Sequence, residues 1–223
     1  MARLAGLSYL IYTVCGLYIT FGPIPSLSAF SPDEAPGQSL DFMFRTSFLA
    51  EVILYTFVCV SAAAMYVVLR SVSQGGAMIA AFCRLIESGM GATFIIFKYA
   101  AFAAMVNPDV TAGLGVEAGA SLVTLLRDVY SSAIYVLLIP MAFGGVIFFS
   151  LFLQSRLIPR WLAGWGVVTC TVIGALAATI LLIPELEQHV MFFFVPGALF
   201  EWVVAIWLLL AGIRTSAQEA LPD

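Results

Sequence analysis

Of the 223 residues, 62% are hydrophobic and only 10% are charged, with a formal net charge of -4 and a mean hydropathy of +1.06. A soluble domain carries about 25% charged residues because its surface must be solvated, so this composition excludes a water-soluble globular protein. In a bilayer the backbone polar groups must pair internally, as helices or a closed barrel, and apolar runs of about 20 residues select helices over the roughly ten-residue strands of a barrel.

The expected fold class is therefore all-α: a polytopic membrane bundle of six transmembrane helices forming a single domain over residues 1–223. The first span covers about 4–21 and stops at Gly22-Pro23, where proline ends helical bonding. Pro23 to Asp41 carries four prolines with Ser, Gly, Asp and Glu and reads as an extramembrane loop. The second span covers about 44–70 and the third about 77–105, joined by a short turn; Asn107-Pro108 breaks the chain after the third. The fourth, about 121–154, contains Pro140, and a tight turn, Ser155 to Arg160, leads to the fifth at about 161–183. After Pro184 and the Glu185–His189 loop, the sixth span covers about 191–213, with a proline kink expected at Pro196.

With six spans, Arg3, Arg70, Arg156, Arg160 and Arg214 fall at one end of the bundle, and Asp33, Glu34, Asp41, Asp109, Glu117, Glu185 and Glu187 at the other, with Arg45 and Arg127 as the dissenting basic residues at the acidic end. The positive-inside rule then puts both termini in the cytoplasm, with Trp161 and Trp165 in the inner aromatic belt. Cys15, Cys59, Cys83 and Cys170 all lie in apolar runs without a CxxC partner, so they read as small hydrophobes.

Four stretches carry a family resemblance: Arg3-Leu-Ala-Gly-Leu-Ser-Tyr-Leu; Ala81-Phe-Cys-Arg-Leu-Ile-Glu; Ser155-Arg-Leu-Ile-Pro-Arg-Trp-Leu-Ala-Gly; and Glu201 followed by Ala205-Ile-Trp-Leu-Leu-Leu-Ala-Gly. In order and spacing over nearly the whole chain they resemble the bacterial multi-pass membrane family of domain of unknown function 4386. The resemblance implies a bacterial inner (plasma) membrane protein with the same span count and brings no established activity. Met141-Ala-Phe-Gly-Gly departs from the family pattern, in which a His often follows the glycine, so any role of that His is absent here.

Charges at membrane depth are costly and usually face a bundle interior or water. At about 1.5 Å per residue, Glu87 in the third span and Glu201 in the sixth each lie about 15 Å from the nearer helix end, with Arg84 one turn from Glu87 on the same face. These three are the expected ligand-binding residues, with Tyr12 or Ser88 as neutral donors. Two ionised carboxylates at one depth repel, so they need a cation, a shared proton or water between them. Arg84 neutralises one and leaves the other, expected to be Glu201, to carry a proton or touch a ligand. A second ionic cluster is expected from Glu51 and Lys98, at matched depth, with Asp128 slightly above them. A third span this rich in charge is expected at the centre of the bundle.

Other features are weaker. His189, the single histidine, excludes bis-histidine haem ligation within one chain, and no metal site, cofactor or catalytic residue is assigned. Gly166, Cys170, Gly174 and Ala178 form a small-residue stripe suited to close packing within the chain or to a dimer face. Phe148-Phe149 and Phe192-Phe193-Phe194 are expected to face lipid or the interface. Three functions remain open: binding or transport of a small solute, a lipid-like ligand or protons; an accessory or assembly subunit of a larger membrane complex, with its charges as structural pins; and, ranked last, an intramembrane enzyme. The partners to consider are membrane lipids, a small-molecule or lipid-like ligand, and a membrane-protein partner or homodimer; there is no basic run to hold nucleic acid.

Overall fold

The structure, a computed structural model, describes residues 1–21, 38–106 and 113–213. The expected loop between the first two spans, the Asn107-Pro108 break and the polar tail fall largely outside these residues. Five long helices account for the first five spans: α1 (Ala2–Phe21), α2 (Gln38–Leu69), α3 (Gln74–Val106), α4 (Val116–Ser155) and α5 (Arg160–Leu182). A short helix α6 (Glu187–Val190), flanked by 3₁₀ turns at Pro184–Leu186 and Met191–Phe194, leads into α7 (Val195–Leu210). Six segments are long and apolar enough to cross a membrane, Pro184–Leu210 being the last of them. The chain is a multi-pass membrane protein with no strands among its described residues.

The turns end where local chemistry requires. Between α2 and α3, the Ser73 hydroxyl accepts the Gly76 N–H at 3.2 Å, an N-cap that starts α3. α4 stops at Arg156, whose left-handed φ of 57° turns its N–H back to the Phe152 carbonyl at 2.9 Å. Pro159 then sits just ahead of α5, where no amide donor is needed.

Helices reach further than apolar runs alone indicate. α2 starts at Gln38, six residues before the expected boundary, and α4 at Val116, five before. The added turns contain Gln38, Ser39, Asp41 and Glu117, which lower the hydropathy of the run without preventing a helix, so apolar run length does not register them. The sixth span is the correction: no continuous helix runs from 191 to 213. Pro196 occupies the first turn of α7, where its missing N–H costs nothing, so it begins a helix and does not kink one.

The spans form a closed ring in which α1 packs on α2, α2 on α3, α3 on α4, α4 on α5, and α7 closes the ring against α1 and, less extensively, α5. Every neighbouring pair is antiparallel. Tyr18 meets Thr46 across α1 and α2 at 2.8 Å, Gly144 on α4 meets Ala80 on α3, and Gly166 on α5 meets Phe200 on α7. Gly6 lets α1 lie directly on the α7 backbone at Ala205–Leu209, leaving no room for a side chain. The small-residue stripe of α5 is spent inside the bundle, with Gly166 on Phe149, Cys170 on Gly145 and Gly174 on Ala142.

Among the described residues no helix occupies the centre, so α3 is a ring member and not the hub. Its charged residues fall on one face, Arg84, Glu87 and Lys98 being buried while Ile79, Phe82, Ile86 and Ile96 point outward. A one-sided polar helix needs only that side covered. Phe148 and Phe149 are also corrected: they are 4% and 1% exposed and belong to the core, whereas Phe192 and Phe193 face outward. Trp165 likewise turns inward, edge-on to Phe200 at 5.6 Å, and Trp161 alone of that pair is exposed.

Candidate functional site

All six spans contribute to one internal cavity. Tyr9 reaches it from α1, Ser61 and Met65 from α2, Arg84 from α3, Met141 and Gly145 from α4, Thr169 and Cys170 from α5, and Glu201 from α7. Its free volume is about 20 Å3, room for about one water molecule. The walls close in because glycines let backbones approach: Gly144 lies against the Ala80 carbonyl and Gly145 against Cys170.

Arg84 is the centre of charge. Its Nη1 lies 2.8 Å from Glu87 Oε2, one turn along α3. The contact has ion-pair distance without hydrogen-bond alignment, for Glu87 Oε2 is left with no hydrogen-bond partner among the described residues. The guanidinium also stands 5.9 Å from the Tyr12 ring centre, a cation–π distance. Glu201, on the wall opposite, forms no ion pair among the described residues. The Thr13 side chain is a polar neighbour of Glu201, but its hydroxyl makes no aligned hydrogen bond among the described residues. Ser8 and Tyr12, one turn apart on α1, have buried hydroxyls in the same condition. The site therefore combines one guanidinium, two carboxylates and a row of unpartnered α1 hydroxyls.

The sequence reading placed Arg84, Glu87, Glu201 and Tyr12 together, and the structure brings them together. Ser88 goes elsewhere: its hydroxyl donates to the Tyr55 carbonyl at 2.6 Å and accepts from the Cys59 thiol at 3.1 Å, tying α3 to α2.

The second cluster lies about 16 Å further along α3, eleven residues beyond Glu87. Lys98 pairs with Glu51 and donates to Ser47 at 3.0 Å. Tyr130 donates to the same Glu51 oxygen at 3.0 Å, and the ammonium faces the Phe44 and Tyr130 rings at 5.7 and 5.3 Å. Asp128 is not part of it. Two residues before Tyr130 on α4, it faces outward and pairs with Arg127 at 3.2 Å. The two clusters are separated by Tyr55, whose ring packs on Gly91, where any side chain would collide with it.

A family profile described as Domain of unknown function (DUF4386) matches residues 4–212. The chain belongs to this family. No curated protein and no solved structure matches it. In this DUF4386 chain the polar residues missed by sequence reasoning are Tyr9, Ser61 and Thr169 on the cavity wall and the buried Ser8 and Thr13 beside it on α1. All are hydroxyl-bearing, and at most 8% exposed. A signal for the α1 members exists in the spacing Ser8, Tyr12 and Tyr9, Thr13, pairs of polar residues one turn apart in an otherwise apolar span.

Proposed function

We propose that this protein is a bacterial inner-membrane bundle that takes up a proton at its enclosed polar site, with Glu201 as the proton-carrying group. The observation that carries the reading is the charge balance in a space this small. Arg84 has two carboxylates near it, Glu87 beside it on α3 and Glu201 on the cavity wall, which leaves a net negative charge beside a space of about 20 Å3, room for about one water. A buried uncompensated charge is costly, and a proton on one carboxylate removes it. Glu87 has the guanidinium beside it, so the proton falls to Glu201, with Thr13 as its neutral neighbour. A solute or a lipid-like ligand has no room in this conformation; a proton needs none.

The second cluster supports a different role for its charges. Lys98 and Glu51 balance each other, and the pair is held by Ser47 and Tyr130. It reads as a pin joining α2, α3 and α4. The accessory-subunit reading would require the Glu201 site to be such a pin too.

Infrared difference spectroscopy on the reconstituted protein separates the two. The expected result is a pH-dependent band from a protonated carboxyl, with about one proton taken up per chain, both lost in Glu201→Gln while the fold is kept. Arg84→Ala should lower thermal stability as well, since it strands Glu87. A band and a proton uptake unchanged in Glu201→Gln would leave the accessory-subunit reading in its place.

A further inference from the structure

The polar site is largely shut off, with Arg84 and Thr169 buried and Glu201 partly so, so the bundle must open further at one end to exchange freely with water. The two ends close it very differently. Toward the end bearing Arg70, Arg156 and Arg160, the cavity is sealed by Leu69, Ala77, Phe152, Leu162 and Leu208. All have 0% exposure and belong to one continuous apolar core. Gly6 presses α1 onto the α7 backbone at the same end.

Toward the other end the seal is thin on the α5–α7 side. The faces of α4 and α5 that line the cavity continue outward through Met141, Leu138 and Tyr135 and through Ile173, Ala177 and Ile180, at steps of three or four residues. Whereas the α2–α3–α4 side of the same end is closed by Phe44, Glu51, Lys98 and Phe102, on the α5–α7 side Tyr135, Ala177 and Ile180 form a small separate cluster with Leu138, Val190 and Phe194 packed around it. The third wall of this plug is the broken part of the sixth span, Pro184–Phe194, built of two 3₁₀ turns and the four residues of α6. Such turns have poorer hydrogen-bond geometry than an α-helix. α7 itself has 16 residues, about 24 Å, and falls short of a roughly 30 Å hydrocarbon core. α7 also packs less extensively on α5 than on α1. One strong polar contact fixes the broken segment to the ring: the Tyr135 hydroxyl donates to Glu187 Oε1 at 2.7 Å.

We infer that the site is reached from the Glu187 end, and that Pro184–Phe194 is its gate, latched to α4 by the Tyr135–Glu187 hydrogen bond. The inference rests on the proton-site reading for what passes, and on the asymmetry of the two seals for the route. When the latch releases, the 3₁₀ segment swings off Ala177 and Ile180 and opens the α5–α7 seam down to Thr169 and Glu201. The core at the opposite end stays closed.

Thiol accessibility tests the route without relying on proton binding. In a background lacking the four native cysteines, Thr169→Cys puts a thiol on the cavity wall. Glu185→Cys and Ser73→Cys report which end a reagent sees. A membrane-impermeant methanethiosulfonate is applied to one side of reconstituted vesicles, and unreacted thiols are counted after denaturation. Thr169→Cys should react only from the side that labels Glu185→Cys. Loss of a hydrogen bond to a carboxylate should speed that reaction roughly tenfold in Tyr135→Phe, and Glu187→Gln should move it in the same direction. Reaction from the side that labels Ser73→Cys, or a rate unmoved by both latch variants, overturns the inference. Faster labelling in the latch variants, with proton uptake unaffected by Glu201→Gln, would retire the proton reading and keep the gate. Normal proton uptake with entry from the Ser73 end would do the reverse.

Discussion

At the scale of single residues, the two ionic clusters differ in what holds them. Arg84 and Glu87 share a helix face, so their pairing follows from a spacing of three, and it was legible in the sequence. Lys98 and Glu51 come from different helices, and equal depth was enough to match them. Asp128 shows the limit of that reasoning: depth gives a residue's height and not its azimuth, and Asp128 points outward to Arg127. Ser88 failed for the same reason, facing α2 instead of the cavity. The α1 hydroxyls were missed because serine, threonine and tyrosine are tolerated anywhere in a span, and only the assembled ring shows which face they use. If the Lys98–Glu51 pair is a pin, Lys98→Met alone should destabilise strongly, by roughly 3–5 kcal/mol, because Glu51 is left buried and unpaired. The double variant Glu51→Met with Lys98→Met should lose less than the single one. Denaturation midpoints of the three variants in one detergent check this; equal losses in single and double variants would remove the pin.

At the scale of helices, five of the six spans were readable from apolar run length alone, within a few residues at their apolar ends. The errors sit at polar helix ends, which project past the bilayer, and in the last span. There, hydropathy cannot distinguish an α-helix from a 3₁₀ turn, and a proline reads as a kink or as a start depending on residues with no other signature. Glycine contacts were equally hidden, since a glycine in a membrane helix reveals its use only through its neighbour. Gly6 and Gly164 make the contrast testable. A methyl at Gly6 would meet the α7 backbone, whereas at Gly164 it would meet nothing within 4 Å. Gly6→Ala should cost on the order of 1–3 kcal/mol through overpacking, and Gly164→Ala should be neutral or slightly stabilising through helix propensity. Thermal melts of the two variants give the comparison; a harmless Gly6→Ala would mean that α1 and α7 do not touch as described.

At the scale of the molecule, the sequence yielded class, span count and the segregation of charge, but not the ring. Run lengths carry no information about which helix neighbours which, so α3, the most polar span, was expected at a centre that the ring leaves to a cavity. The segregation predicts orientation: Arg70, Arg156 and Arg160 share one end, with Glu185 and Glu187 at the other, and the positive-inside rule turns the basic end to the cytoplasm. Ser73→Cys should then label only in inverted vesicles and Glu185→Cys only in intact cells. Labelling of both from one side would contradict the antiparallel ring itself.

The closure of that ring by its first and last helices has a consequence for biosynthesis. A chain made from its N-terminus delivers α1, α2 and α3 to the membrane long before α7 exists. Arg84 and Glu87 can enter as a self-neutralised pair on one helix, and Glu51 and Lys98 can find each other once the α2–α3 hairpin has formed. Glu201 has no such companion on its own helix and is the last charge of the cavity to arrive. Until it does, the hydroxyls of α1 stand at an open seam. The contact most distant in sequence, Gly6 on Leu209, is thus the last to form, and a chain stalled before α7 is an open arc with the hydroxyls of α1 uncovered.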